Sequence, residues 1–109
     1  MHHREQDRTS LELARAIASG LGEHPEWIDL ARENLDRWEE RNAHAPRLVR
    51  CYQEWRELLR MPLEDVRALL VETSDNAQRL RQNSPFPGAL TPRQVWEIKR
   101  RCRDDAIGA

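Results

Sequence analysis

No apolar run in this chain approaches the ~18 residues a membrane span needs. The first eight residues, Met1 to Arg8, lack the apolar stretch of a secretory leader. Both absences predict a cytoplasmic protein that does not enter a membrane. Cysteine is scarce. Cys51 and Cys102 fall on two different predicted helices, without C-x-x-C spacing or a neighbouring His pair. That pattern argues against a zinc site and for buried free thiols. Lysine is nearly missing, with Lys99 alone among the basic residues and all others arginine, a mark of GC-rich coding. A large excess of either charge is also missing. The net charge of −1 predicts no global pull toward nucleic acid or membrane. There is no P-loop, no dinucleotide fingerprint and no H-E-x-x-H. His24 and His44 fall in predicted loops, with no Ser or Cys at a catalytic spacing. The chain is therefore read as carrying no catalytic site, no metal and no cofactor, and as not being an enzyme.

What is present is helical pattern. The 109 residues fit one domain, and 34% charged residues against 39% hydrophobic ones predict a thin core under a charged skin. The predicted architecture is all-α: a bundle of five to six helices around an antiparallel, Trp-bearing helix hairpin. Residues 1–8 are expected to be disordered, 9–106 to form the domain and 107–109 to fray. His2-His3 has no third ligand and is read as part of the disordered start. A first helix is predicted from Thr9, where Thr9-Ser10-Leu11-Glu12 reads as a capping box, to a stop at Gly20 and Gly22. Pro25 opens a second helix. Its Trp27, Ala31, Leu35 and Trp38 step by four, four and three and share one face. The third helix, from Pro46, repeats this with Leu48, Tyr52, Trp55 and Leu59. The short link Ala43-His44-Ala45 predicts that the two lie antiparallel with their aromatic stripes facing. A fourth helix follows Met61-Pro62 with Leu63, Val66, Leu69 and Leu70 inward. Thr73-Ser74-Asp75-Asn76 starts a short fifth helix through Gln82. Asn83-Ser84-Pro85-Phe86-Pro87-Gly88 must be irregular. Thr91-Pro92-Arg93-Gln94 caps a last helix to about Asp105.

Four tryptophans stand against one Phe and one Tyr. Trp27, Trp38 and Trp55 fit the inward stripes and are expected in the core. On the last helix Val95, Ile98 and Cys102 form the inward arc, and Trp96 lies beside it among Lys99, Arg100 and Arg103. Residues 93–103 hold five bases and one acid, Glu97. An indole edged by cations suits a protein hot spot or a nucleic-acid face. Equally, it suits a core margin covered by arginine stems. The charge is uneven in the same sense: ten acids against six bases over 1–45, a net of −4, and nine against twelve over 46–109, a net of +3. Phe86, stiffened by Pro85 and Pro87, reads as a pre-organised plug for the domain's own core or for a partner, the former being the better reading. The acids Glu33, Asp36, Glu39 and Glu40 interleave with Arg32, Arg37 and Arg41, and read as a solvated face. The fourth and fifth helices loosely match a helix-turn-helix whose recognition helix would offer Asn76, Gln78, Arg79, Arg81 and Gln82. The turn Val71-Glu72-Thr73 lacks the usual glycine, and the acidic first half argues against DNA.

The run Arg79-Leu80-Arg81-Gln82-Asn83-Ser84-Pro85-Phe86, then Gly88, Leu90-Thr91-Pro92-Arg93 and Trp96-Glu97-Ile98-Lys99-Arg100, resembles a family of small bacterial proteins often encoded beside nucleotidyltransferase-like toxins of the abortive-infection type. His24-Pro25-Glu26-Trp27 and Cys51-Tyr52-Gln53-Glu54-Trp55 match more loosely. The resemblance implies an antitoxin or accessory protein that binds a partner toxin. The expected contact residues are Ser84, Pro85, Phe86, Arg93, Trp96, Lys99, Arg100 and Arg103. A DNA-binding regulator using the basic second half is the alternative. A homodimer is compatible with the spare Trp and Arg.

Overall fold

The six periodic segments form six α-helices in a computed structural model, which describes residues 2–108 and the side chains of 7–105. They are α1 (His2–Leu21), α2 (Trp27–Arg41), α3 (Pro46–Leu58), α4 (Leu63–Leu70), α5 (Asp75–Arg81) and α6 (Pro92–Gly108). No strand occurs among the described residues. The fold is the expected all-helical bundle.

One boundary departs well beyond end fraying. The first helix begins at His2, not Thr9, so Thr9 to Glu12 is helix interior and not a cap. Residues 2–8 contain no glycine or proline to interrupt a helix. Tertiary contact then holds the added turns: Arg8 donates to the Asp105 carboxylate at 2.7 Å. That pair joins the start of α1 to the end of α6, so the two helices run antiparallel. α6 continues past the expected stop at Asp105 to Gly108. Of the disorder expected over 1–8 and the fraying expected over 107–109, residues 2–8 and 107–108 are helical, while residues 1 and 109 lie outside the described residues, as do the side chains of His2 and His3.

The hairpin of α2 and α3 follows the stripes. Ala31, Leu35, Tyr52, Trp55 and Leu59 are buried along its seam. Trp38 meets Tyr52 with ring centroids 5.7 Å apart. Polar contacts run in antiparallel register from end to end. Asn42 Nδ2 donates to the Tyr52 hydroxyl, Arg56 forks onto Asp36 and Glu39, and Arg32 donates to the Leu59 carbonyl. Trp27 and Trp38 are half-buried at the two ends of the core, whereas Trp55 is 1% exposed at its centre.

Side-chain caps fix the starts of α5 and α6. Ser74 Oγ accepts from Ala77 N–H at the start of α5. At the start of α6, Thr91 Oγ1 accepts from Gln94 N–H, and Gln94 Oε1 accepts from Thr91 N–H, a complete capping box. Arg67 Nε donates to the Ala18 carbonyl in the last turn of α1, a cation placed where the helix dipole favours it.

Candidate functional site

Between α5 and α6 the chain cannot be helical, and its irregular path builds the most featured surface of the molecule. Phe86-Pro87-Gly88-Ala89 closes a tight turn, with Ala89 N–H donating to the Phe86 carbonyl at 3.1 Å. Proline at its second position and a glycine of φ 95° at its third are the requirements of a type II turn. The turn is held by one side chain. Asn34 of α2, 3% exposed, donates through Nδ2 to the Pro85 and Pro87 carbonyls, each at 3.0 Å. Its Oδ1 accepts from Arg37. With the backbone fixed on both sides, Phe86 enters the domain's own core edge-on to Trp55, with centroids 6.3 Å apart. Trp55 in turn donates its indole N–H to the Leu80 carbonyl at 3.0 Å, so its buried polar edge is satisfied.

The docked loop leaves a groove against α1 and α6, with a volume of about 850 Å³. Leu13 and Ile17 of α1 line one side, Val95, Trp96 and Lys99 of α6 the other, and Phe86 and Leu90 lie at its floor. The lining is mainly apolar. Two exceptions are cationic: Lys99, exposed at the rim, and Arg81, only 6% exposed. Arg81 Nη1 donates to the Leu70 and Glu72 carbonyls. Its Nε is buried and has no hydrogen-bond partner among the described residues. Burial, more than any neighbouring charge, pushes the Arg81 guanidinium below the ordinary arginine value.

Trp96 stands at the lip. At 58% exposed it is the one large hydrophobic side chain left open to solvent among the described residues. Arg100, one turn on, lies over its ring at 5.1 Å from the centroid, a cation–π geometry. Arg93, Arg100, Lys99 and Arg103 all fall within about 60° of Trp96 on the helical wheel. Arg93 is paired with Glu97 at 3.3 Å, while Lys99, Arg100 and Arg103 make no salt bridge among the described residues.

Of the eight expected contact residues, Ser84, Phe86, Trp96 and Lys99 come together on this groove. Arg93, Arg100 and Arg103 are exposed on the helix that forms its lip. Pro85 and Phe86 have no free surface to offer as a protruding plug, because Asn34 and the core hold them inward. The α1 wall and Arg81 were not anticipated as part of the site. Arg81 carried a signal: it follows Ala77 by four and Leu80 by one, which puts it on the buried arc of α5. Asn34 likewise falls between Ala31 and Leu35 on the inward arc of α2.

Three of the five side chains of the helix-turn-helix reading are engaged within the domain. Arg81 faces inward, and Arg79 is engaged with Glu54 at 2.6 Å and with Asn76 at 2.7 Å. Among the described residues no group of three His, Cys, Asp or Glu side chains could hold a metal, and no helix is long and apolar enough to cross a membrane. Cys102 is buried and Cys51 half-buried, both as free thiols. Comparison with protein-family models, with curated proteins and with solved structures gave no match.

Proposed function

We propose that this chain is a protein-interaction module, and that its contact face is the Trp96 lip with the cationic side of α6. One observation carries the reading. A tryptophan is left 58% exposed in a domain small enough to need every large side chain for its core. Indole and guanidinium together are the groups that most often dominate binding energy at protein interfaces. Lys99, Arg100 and Arg103 around it make no salt bridge among the described residues, so the complementary surface is an acidic segment with an apolar anchor. In its specific form, the partner is a nucleotidyltransferase-like toxin, which this chain binds and neutralises as an antitoxin or accessory protein. The resemblance of residues 79–100 supports that form.

Co-expression with the product of the adjacent gene tests it. The expected result is a complex that co-purifies and relieves the partner's toxicity, with both effects lost in Trp96→Ala. Absence of complex and of relief with the wild-type chain would sink the proposal. Retention of DNA that falls steeply with salt would instead assign the same face to phosphate contacts.

A further inference from the structure

The groove below Trp96 has room for more than one anchoring side chain. Its volume of about 850 Å³ is the bulk share of roughly 30 water molecules. Several apolar side chains must therefore enter before its walls are dry. Those walls belong to two helices, α1 with Leu13 and Ile17 and α6 with Val95 and Trp96. Hydrogen bonding decides the conformation of what can fill it. An extended segment would bring unpaired backbone N–H and C=O groups against hydrocarbon, and each one left unanswered is costly. The walls cannot answer them, because their own backbones are spent on helical ladders. No strand edge exists among the described residues to pair with such a segment. A polyproline segment needs a groove lined by exposed aromatics, and here Trp96 is the one large hydrophobic side chain exposed among the described residues. A helix closes its own hydrogen bonds and presents only side chains. From Pro92 to Lys99 the α6 wall rises about 10 Å, which is two helical turns. That length matches three anchors at i, i+4 and i+7.

Charge is placed along one side of the groove. On the α6 side Lys99, Arg100 and Arg103 make no salt bridge among the described residues, whereas Arg93 is paired with Glu97 at 3.3 Å. On the α1 side the charges answer one another. Arg15 is paired with Glu12 at 2.6 Å, Arg8 with Asp105 at 2.7 Å, and Asp7 attracts the buried Arg81. Asp104 lies about 80° round the helical wheel from Trp96, on the side away from Val95 and the groove. We infer that the groove between α1 and α6 receives an amphipathic helix of a partner protein, with apolar anchors set among Leu13, Ile17, Val95 and the Trp96 indole, and with acidic side chains on the flank that faces Lys99, Arg100 and Arg103. The inference rests on the reading of this face as a protein-contact site, and adds the form and polarity of what docks there. A basic helix of the same shape is repelled by the α6 side, and acids on the opposite flank meet no unpaired cation among the described residues of α1.

The test uses the full wild-type chain and synthetic peptides of about 15 residues, a length at which an isolated helix is marginal in water, so that helix gained on docking is visible. The first peptide carries leucine at i, i+4 and i+7 and glutamate along one flank. Its twin has lysine in place of glutamate, and a third has the first one's composition in scrambled order. The methyl signals of Leu13, Ile17 and Val95 and the indole N–H signal of Trp96 report on the groove. The acidic peptide is expected to shift them saturably and together, and to gain helicity. The lysine twin and the scrambled peptide are expected to bind at least about tenfold more weakly, and the difference from the lysine twin to shrink with added salt. Ser10→Trp, which adds bulk to the groove lining, is expected to abolish the methyl shifts. The inference is overturned if the acidic peptide moves only Trp96 and leaves the groove methyls in place, if it binds without becoming helical, or if the lysine twin binds equally well. Because the spectra are read on the wild type, a failure of Ser10→Trp to fold leaves the test intact. The result is also separable from that of co-expression. A partner complex lost in Trp96→Ala, with groove methyls that no peptide moves, keeps the contact face and removes the groove helix. Peptide docking as described, without a complex, keeps the groove helix and removes the adjacent gene's product as the partner.

Discussion

One amide, that of Asn34, holds two backbone carbonyls of the Pro-rich loop. Asn34→Ala strands both, and Phe86 loses the brace that aims it at Trp55. The expected cost is ~2 kcal/mol or more in a denaturant titration, with the Phe86 and Trp55 resonances broadened or displaced. Gly20 makes the opposite kind of test, because two effects compete there. In a helix interior alanine beats glycine by ~1 kcal/mol. At Gly20, however, a Cβ would sit 2.3 Å from the Trp27 ring, and overpacking of that kind costs ~1–3 kcal/mol. The clash wins, so Gly20→Ala is expected to lower stability, and pairing it with Trp27→Leu to recover part of the loss. A stabilised Gly20→Ala single variant would contradict the packing described here. Residues of this sort mark where sequence reading stops. The stripes of α2 and α3 were legible because apolar side chains repeat at 3.6, and Trp55 lies where the spacing put it. Asn34 and Arg81 lay on the same inward arcs, but a polar residue on such an arc acquires its meaning only from the carbonyl it meets. Those carbonyls belong to segments 51 to 53 residues away for Asn34 and 9 to 11 away for Arg81.

At the scale of elements, local chemistry fixed the starts of α5 and α6, since Ser74 and Thr91 cap them from within their own first turns. The start of α1 was not legible for the converse reason. Thr9 and Glu12 have the composition of a capping box, yet Arg8 is held by Asp105 at the far end of the chain, and the helix runs on. Beside the Trp55–Leu80 hydrogen bond, α3 and α5 are joined by an ion pair that makes a prediction in pH. Hydrogen bonds from Arg79 hold the Glu54 carboxyl below its ordinary value of 4.5. A carboxylate depressed in the folded state stabilises it above its unfolded pKa, and that contribution fades as pH falls through the lower folded value. The stability difference between wild type and Glu54→Gln is therefore expected near neutral pH, shrinking progressively below about 4.5. Both groups are more than a third exposed, so added salt should shrink it as well. A difference that stays constant from neutral pH down to the acid limit of folding would show that Glu54 contributes by packing alone.

Across the whole molecule, the α2–α3 hairpin and the groove divide the labour of four tryptophans. Trp55 is core, Trp27 and Trp38 close the ends of that core, and Trp96 is left on the surface with Arg100 against it. Lys99, Arg100 and Arg103, near Trp96 on α6, make no salt bridge among the described residues, while Arg56, Arg67 and Arg79 hold helices together. If Trp96 anchors a partner as proposed, folding and binding are independently adjustable. The most direct test is a calorimetric titration of the co-expressed neighbour's product into the wild type and Trp96→Ala, with each protein's melting recorded alongside. Removing an exposed indole is expected to change stability by no more than ~0.5 kcal/mol. Removing a hot-spot indole is expected to cost ~2 kcal/mol of binding, about 30-fold in affinity. Unchanged affinity in a folded Trp96→Ala, or a variant that unfolds because the indole was needed for the core, would contradict the account.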